Sequence, residues 1–218
     1  MYVVLLGLPG AGKGTQAAYL SQHLGLAHIT TGELFREHIR QGTELGERAR
    51  PYVESGQLVP DEITIAMLLE RLSAPDAARG ALLDGFPRTL NQARALDAAL
   101  ARRGAGIDIA VYLEVSQEEL VRRLSGRWNC RQCGAVYHEV FSPPRRSGVC
   151  DRCGGELYQR EDDRPDVVRR RLEVNLQQLQ ELLDYYERQG KLVRVNGEQS
   201  VEGVRDALLA ALGAARGR

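Results

Sequence analysis

Two groups of residues carry types and spacings that could do chemistry. GLPGAGKGT at 7–15 sets Gly7, Gly10, Gly12 and Gly14 around Lys13. Glycine at such places lets main-chain N–H groups turn inward toward an anion, because no side chain blocks the approach. A helix starting just behind points the positive end of its dipole at the same spot. Lys13 adds a mobile ammonium able to follow the β- and γ-phosphates of a nucleotide. This phosphate-loop pattern requires a strand before it and a helix after it. Gly14 holds the place where a hydroxyl residue normally follows the lysine, and Thr15 comes one residue later.

The second group is Cys130-Arg-Gln-Cys133-Gly and Cys150-Asp-Arg-Cys153-Gly, two matching knuckles separated by sixteen residues. Each CxxC turn aims two sulfurs at one centre, and two turns complete a tetrahedral thiolate set of the structural zinc kind. A disulfide pair or redox thiols would suit an oxidising compartment or a βαβ context, and neither surrounds these cysteines. The sequence admits iron in the same four-sulfur site. With every ligand position filled by sulfur, the metal is expected to be structural, stapling a segment too short to bury a core of its own.

Composition narrows the partners. Basic and acidic residues balance at 29 each, so bulk charge makes no case for nucleic acid or a membrane surface. Only Lys13 and Lys191 are lysines and the remaining cations are arginines, which makes the lysine in the loop conspicuous. No apolar run approaches the roughly 20 residues of a membrane span, and the first residues carry no signal-peptide pattern. A cytoplasmic protein with reduced thiols is expected. Arg127, Trp128, Arg131, Tyr137, Arg145 and Arg146 interleave charge with aromatics around the knuckles, so a nucleic-acid-binding ribbon is a minor alternative.

The elements that must position these groups alternate strand and helix. Apolar YVVLL at 2–6 predicts a strand, and Ala17, Leu20 and Leu24 predict a helix over 15–24 stopped by Gly25. A short strand is expected at 27–29, then two short helices within 30–59, more chain than a βα connection needs. Asp61 is expected to cap a helix facing Ile65, Leu68, Leu69 and Leu72 inward. Strands follow at 81–84, 109–115 and 191–195, with helices at 89–103, from a Ser116/Glu119 capping box, at 165–189 and at 201–212. Val168, Leu172, Leu176, Leu179, Leu183 and Tyr186 mark the buried stripe of the 165–189 helix. The pattern predicts an α/β fold with a doubly wound parallel sheet, interrupted near 127–163 by an inserted module.

Taken together, GLPGAGKGT, TTGELFR at 30–36, DGFPRT at 84–89 with Gln92, GRW at 126–128 before the knuckles, and Arg160 followed by DDRPDVVRRRL at 162–172 resemble the adenylate kinases. They are most similar to the long-lid, zinc-carrying type. The resemblance runs in order along the whole chain. Glu33 departs from it modestly, standing where the family often has aspartate.

The resemblance implies a five-stranded P-loop core in the order 2-3-1-4-5, made of residues 1–29, 60–125 and 164–218. It implies an AMP-binding helical module at 30–59 and a zinc-bearing lid at 126–163. The activity implied is reversible, Mg²⁺-dependent phosphoryl transfer, ATP + AMP = 2 ADP, serving adenine nucleotide homeostasis in a monomer. On the donor side it implies Gly10, Ala11, Gly12, Lys13, Gly14 and Thr15 around the phosphates, Arg123 and Arg127 at the lid entry, and Val136, Tyr137 and Gln199 about the base and ribose. On the acceptor side it implies Thr31, Arg36, Gln57, Leu58, Val59, Gly85, Phe86, Pro87, Arg88 and Gln92 for AMP, with Arg160 and Arg171 closing over the phosphates. Lys13, Arg88, Arg127, Arg160 and Arg171 would form a positive cage, and Asp84 would hold Mg²⁺ through water. A kinase of another acceptor, UMP or CMP, and a zinc-ribbon nucleic-acid-binding NTPase are the alternative functions.

Overall fold

The computed structural model describes residues 1–55, 57–159 and 165–216, with the side chains of 165–167, 169–171, 174 and 216 outside that description. The chain begins β1 (Tyr2–Leu6), α1 (Lys13–Leu24), β2 (Ala27–Thr30), α2 (Thr31–Gln41), α3 (Glu44–Glu54) and α4 (Asp61–Arg71). It continues β3 (Ala81–Asp84), α5 (Leu90–Ala101), β4 (Ile109–Glu114) and α6 (Gln117–Ser125). Three short strands, β5 (Arg127–Cys130), β6 (Val136–His138) and β7 (Leu157–Tyr158), precede α7 (Pro165–Arg188), β8 (Leu192–Asn196) and α8 (Val201–Arg216).

Five strands form a sheet in the order β2-β3-β1-β4-β8, every adjacent pair parallel. That is the α/β architecture the strand and helix pattern predicts, in the strand order the resemblance implies. Val3, Val4, Leu82, Leu83, Ala110 and Val111 are wholly buried, the continuous apolar reading of strands covered on both faces. The inserted module is a separate antiparallel sheet, β6-β5-β7, with its own small cluster of Cys130, Ala135, Tyr137, Cys150 and Leu157. A third cluster, Ala49, Val59, Ile63 and Met67, joins α3 to α4.

Local signals mostly act as expected. Gly25 ends α1 in the left-handed conformation, and the Thr30, Thr43, Thr89 and Ser116 side chains each accept from an N–H in the first turn of the helix they precede.

Three expectations are corrected. Asp61 does not cap α4: it is the first helical residue after Pro60, and its carboxylate reaches across to Thr89 and Gln92 instead. The Ser116/Glu119 box forms only by half. Glu119 is drawn to Arg122 and Arg123, and Glu198, from the loop after the adjacent strand β8, accepts from the Ser116 N–H in its place. On α7, Leu176 is 41% exposed while Leu182 is buried. At about 100° per residue, position 176 falls on the margin of the buried arc, and the core covers the opposite margin.

The backbones of α2 and α3 approach closely at Gly46. A Cβ on Gly46 would lie 2.2 Å from the His38 carbonyl oxygen. Gly46→Ala should therefore destabilise the protein by about 3 kcal/mol in denaturant unfolding, since the obstacle is backbone that has nowhere to move.

Candidate functional site

The phosphate loop leaves β1 at Leu6 and enters α1 at Lys13. Gly10 has φ 87° and a Cβ there would meet Leu124 at 2.9 Å; Gly12, preceding α1, has φ 91°. Both are conformations in which a side chain is strained, which is why glycine stands there. Lys13 Nζ donates to the Gly7 carbonyl at 2.8 Å and to the Leu8 carbonyl at 3.1 Å, so the ammonium folds back over its own loop. Gln16 Nε2 donates to the Val201 carbonyl and ties α1 to α8.

The register of β1 on β3 sets Leu5 beside Asp84, and that of β2 on β3 sets Thr30 beside Asp84. Three loops therefore leave the sheet at one edge, the end where α/β sheets place their ligands. Gly14 lies against Asp84, close enough that a Cβ would come to 3.5 Å from Oδ2. His28 Nε2, buried and without a hydrogen bond, sits 3.9 Å from the same oxygen, a neighbour the sequence reading passed over.

Beyond Asp84 the chain turns through Gly85 and a cis Phe86–Pro87 peptide. Thr31 Oγ1 donates to the Gly85 carbonyl at 3.1 Å, and Arg88 Nε donates to the same carbonyl at 2.9 Å. Phe86 is buried, whereas the Arg88 side chain is exposed above the loop. Gln92, 4% exposed, accepts from the Arg88 N–H through Oε1 and donates through Nε2 to Asp61. Arg36 is exposed on α2 with its guanidinium over Gly32, Gln57 and Leu58 are exposed, and Val59 is buried.

On the other flank, Arg123 Nε donates to Glu119 Oε1 at 2.7 Å and Arg122 Nε to Glu119 Oε2 at 2.8 Å. Burial opposes the Glu119 charge, yet the two guanidiniums hold its carboxyl below the usual range. Arg127 opens β5, half-buried. Gln199 donates to the Asn196 carbonyl in a loop whose Gly197 donates to Glu114 and approaches Ala11 of the phosphate loop. Val136 is 58% exposed, while Tyr137, its neighbour on β6, turns inward to the cysteines. Strand alternation contains the signal for that inward turn. Arg160 lies outside the described residues, and Arg171 is described only by its place on α7.

The four cysteine sulfurs lie within 4.8 Å of one another, with Cys130–Cys153 at 3.4 Å and Cys133–Cys150 at 3.5 Å. Sulfurs around a tetrahedral zinc stand about 3.8 Å apart, so the set fits one such ion. The Tyr137 hydroxyl, 3.5 Å from Cys150 Sγ, is the largest influence holding that thiol down to about 6. The Cys133 N–H does most to lower Cys130. Cys153 is lowered by the Gly155 N–H but raised more by the other three sulfurs, to about 12. Four sulfurs this close need a cation before all can be thiolates.

A glycine loop at a helix start, an arginine-bearing loop beside it at the same end of a parallel sheet and an inserted four-cysteine module are parts that fit a P-loop nucleotide phosphotransferase. Comparison with known proteins is specific: the adenylate kinase family model matches residues 5–191. The chain is 53% identical to the adenylate kinase of a Geobacillus species (strain WCH70) over 204 residues, 94% of each chain. It is 50% identical to that of Caldicellulosiruptor bescii over 98% of this chain and 99% of the relative, and 52% identical to that of Streptomyces griseus over 97% of each. The chain belongs to the adenylate kinase family.

Elemental analysis of the purified protein should find stoichiometric metal. Cys130→Ser or a chelator should lower the thermal midpoint by about 5 °C or more. A metal-free protein indifferent to chelator would contradict a structural ion.

Proposed function

We propose that the chain catalyses ATP + AMP = 2 ADP, with the phosphate loop holding the donor and the loop at 84–88 holding the acceptor. The observation that carries this reading is the register of β1 on β3, which sets Leu5 beside Asp84 and so brings the phosphate loop to the start of the 84–88 loop. Direct phosphoryl transfer needs its two phosphate groups in line and in contact, not linked through a distant intermediate.

The chain's own groups supply placement and charge. Lys13 would exchange its loop carbonyls for the β- and γ-phosphates. Arg88, tethered at Gly85, would grip the AMP phosphate, with Arg36 beside it. Arg127, Arg160 and Arg171 would complete the cage around the transferring group, and Arg123 would flank the adenine of ATP. Val136, Tyr137 and Gln199 would border the donor base and ribose, Tyr137 through its main chain because its ring serves the cysteine cluster. Thr31, Gln57, Leu58, Val59 and Gln92 would surround the acceptor nucleoside. The attacking phosphate oxygen is already ionised, so no general base is required. Mg²⁺ bound near Asp84 through water would offset charge on the bridging phosphates.

The modules at 30–59 and 126–163 are proposed to close over a core of 1–29, 60–125 and 164–218. Closure would bring the arginines in only when both nucleotides are bound and would exclude water, which otherwise competes as acceptor. Zinc is the proposed lid metal, by its preference for four thiolates. Among the described residues no helix is long and apolar enough to cross a membrane, consistent with the proposed cytoplasmic location.

A coupled assay of ADP formation with AMP, UMP and CMP as acceptors tests the assignment. AMP should be strongly preferred, and preference for a pyrimidine acceptor would overturn it. Lys13→Ala should lower kcat by about 10³-fold with the fold retained, the size expected for removing one preorganised donor to the transferring group.

A further inference from the structure

We propose that Asp61 is a positioning residue: it fixes the direction of the Gln92 amide and thereby selects a 6-aminopurine over a 6-oxopurine acceptor. The proposal rests on the reading that Gln92 meets the acceptor base.

Asp61 is the first residue of α4, just after the 57–59 segment, and faces the start of α5. Its Oδ1 accepts from Gln92 Nε2 at 2.7 Å and its Oδ2 accepts from the Thr89 hydroxyl at 2.8 Å. Thr89 Oγ1 accepts in turn from the Gln92 N–H at 3.2 Å, closing a ring of hydrogen bonds. At its other end the Gln92 amide is held by the Arg88 N–H, 2.8 Å from Oε1. The side chain is 4% exposed, so it has little room to swing.

The two partners leave the amide one orientation. A carboxylate only accepts and a main-chain N–H only donates. Turning the amide over would set its NH₂ against the Arg88 N–H and its oxygen against the Asp61 carboxylate, leaving buried groups mismatched on both sides. A primary amide has two N–H donors and two lone pairs, and this network uses one of each. One donor and one acceptor remain, in a fixed order.

That order distinguishes purines. Adenine offers an N6–H donor beside the N1 acceptor, while hypoxanthine offers the O6 acceptor beside an N1–H donor. An amide set for one is reversed for the other, and a site built to pair a specific polar group rejects the reversed pattern strongly. Asn at position 61 could either donate or accept, so the selection from that side would be lost and only the Arg88 N–H would oppose the reversed amide.

Steady-state kinetics with MgATP and either AMP or IMP, on wild type, Asp61→Asn, Gln92→Ala and the double variant, test this. Asp61→Asn should raise KM for AMP about tenfold, leave KM for ATP unchanged and reduce the AMP:IMP ratio of kcat/KM about tenfold. In the Gln92→Ala background the same substitution should change that ratio no further, because its effect runs through the amide. An unchanged ratio in Asp61→Asn, or an equal loss in the Gln92→Ala background, overturns the proposal. A wild-type ratio in Gln92→Ala instead overturns the reading of Gln92 as the base contact. A second measurement needs no variant at position 61. In ¹⁵N-labelled wild type, one Gln92 side-chain amide proton should stay protected from exchange with and without AMP. Its loss of protection on saturation with AMP would also overturn the proposal.

Discussion

The parallel ladder of β1 on β3 sets Leu5 beside Asp84, and everything the protein does at its sheet edge follows from that register. It brings the glycine loop after β1 against the aspartate that ends β3, and β2 adds Thr30 and Thr31 on the far side. Val3, Val4, Leu82 and Leu83 are wholly buried on the two covered faces, so shifting the pairing by one residue would swap side chains between two packed faces of different shape. The apolar core thus enforces, at no added cost, a placement that polar side chains alone could not hold.

Around that edge the cations are tethered by two kinds of acceptor, main-chain carbonyls and a carboxylate. Arg88 spends its Nε on the Gly85 carbonyl, and Arg123 its Nε on a Glu119 carboxylate also claimed by Arg122. Lys13 rests on two carbonyls of its own loop. A neutral carbonyl is a weaker partner than a polyphosphate for the same donor, whereas the Glu119 carboxylate holds Arg123 by a charge-assisted bond.

The inserted sheet solves a different problem. Its buried cluster is small, and two of its members are cysteines whose sulfurs converge with Cys133 and Cys153. Tyr137 joins the two functions of that module: it fills the cluster with its ring and steadies the Cys150 sulfur with its hydroxyl. A module of this size would gain from a metal at the four sulfurs a rigidity that packing alone would not provide.

Much was legible in the sequence because the signals were local. Glycine spacing around Lys13, paired CxxC turns, helix stops and apolar runs each act within a few residues, and the strands and helices they specify are present. What only the tertiary structure decided concerns partners distant in the chain that compete for the same side chain. Asp61 had a local role open to it as a helix cap and took a distant one with Thr89 and Gln92. Glu119 turned to two arginines of its own helix, and the distant Glu198 took the Ser116 N–H. Local patterns list the hydrogen bonds a residue could make. Which one it makes depends on the other charges and donors that folding brings within reach.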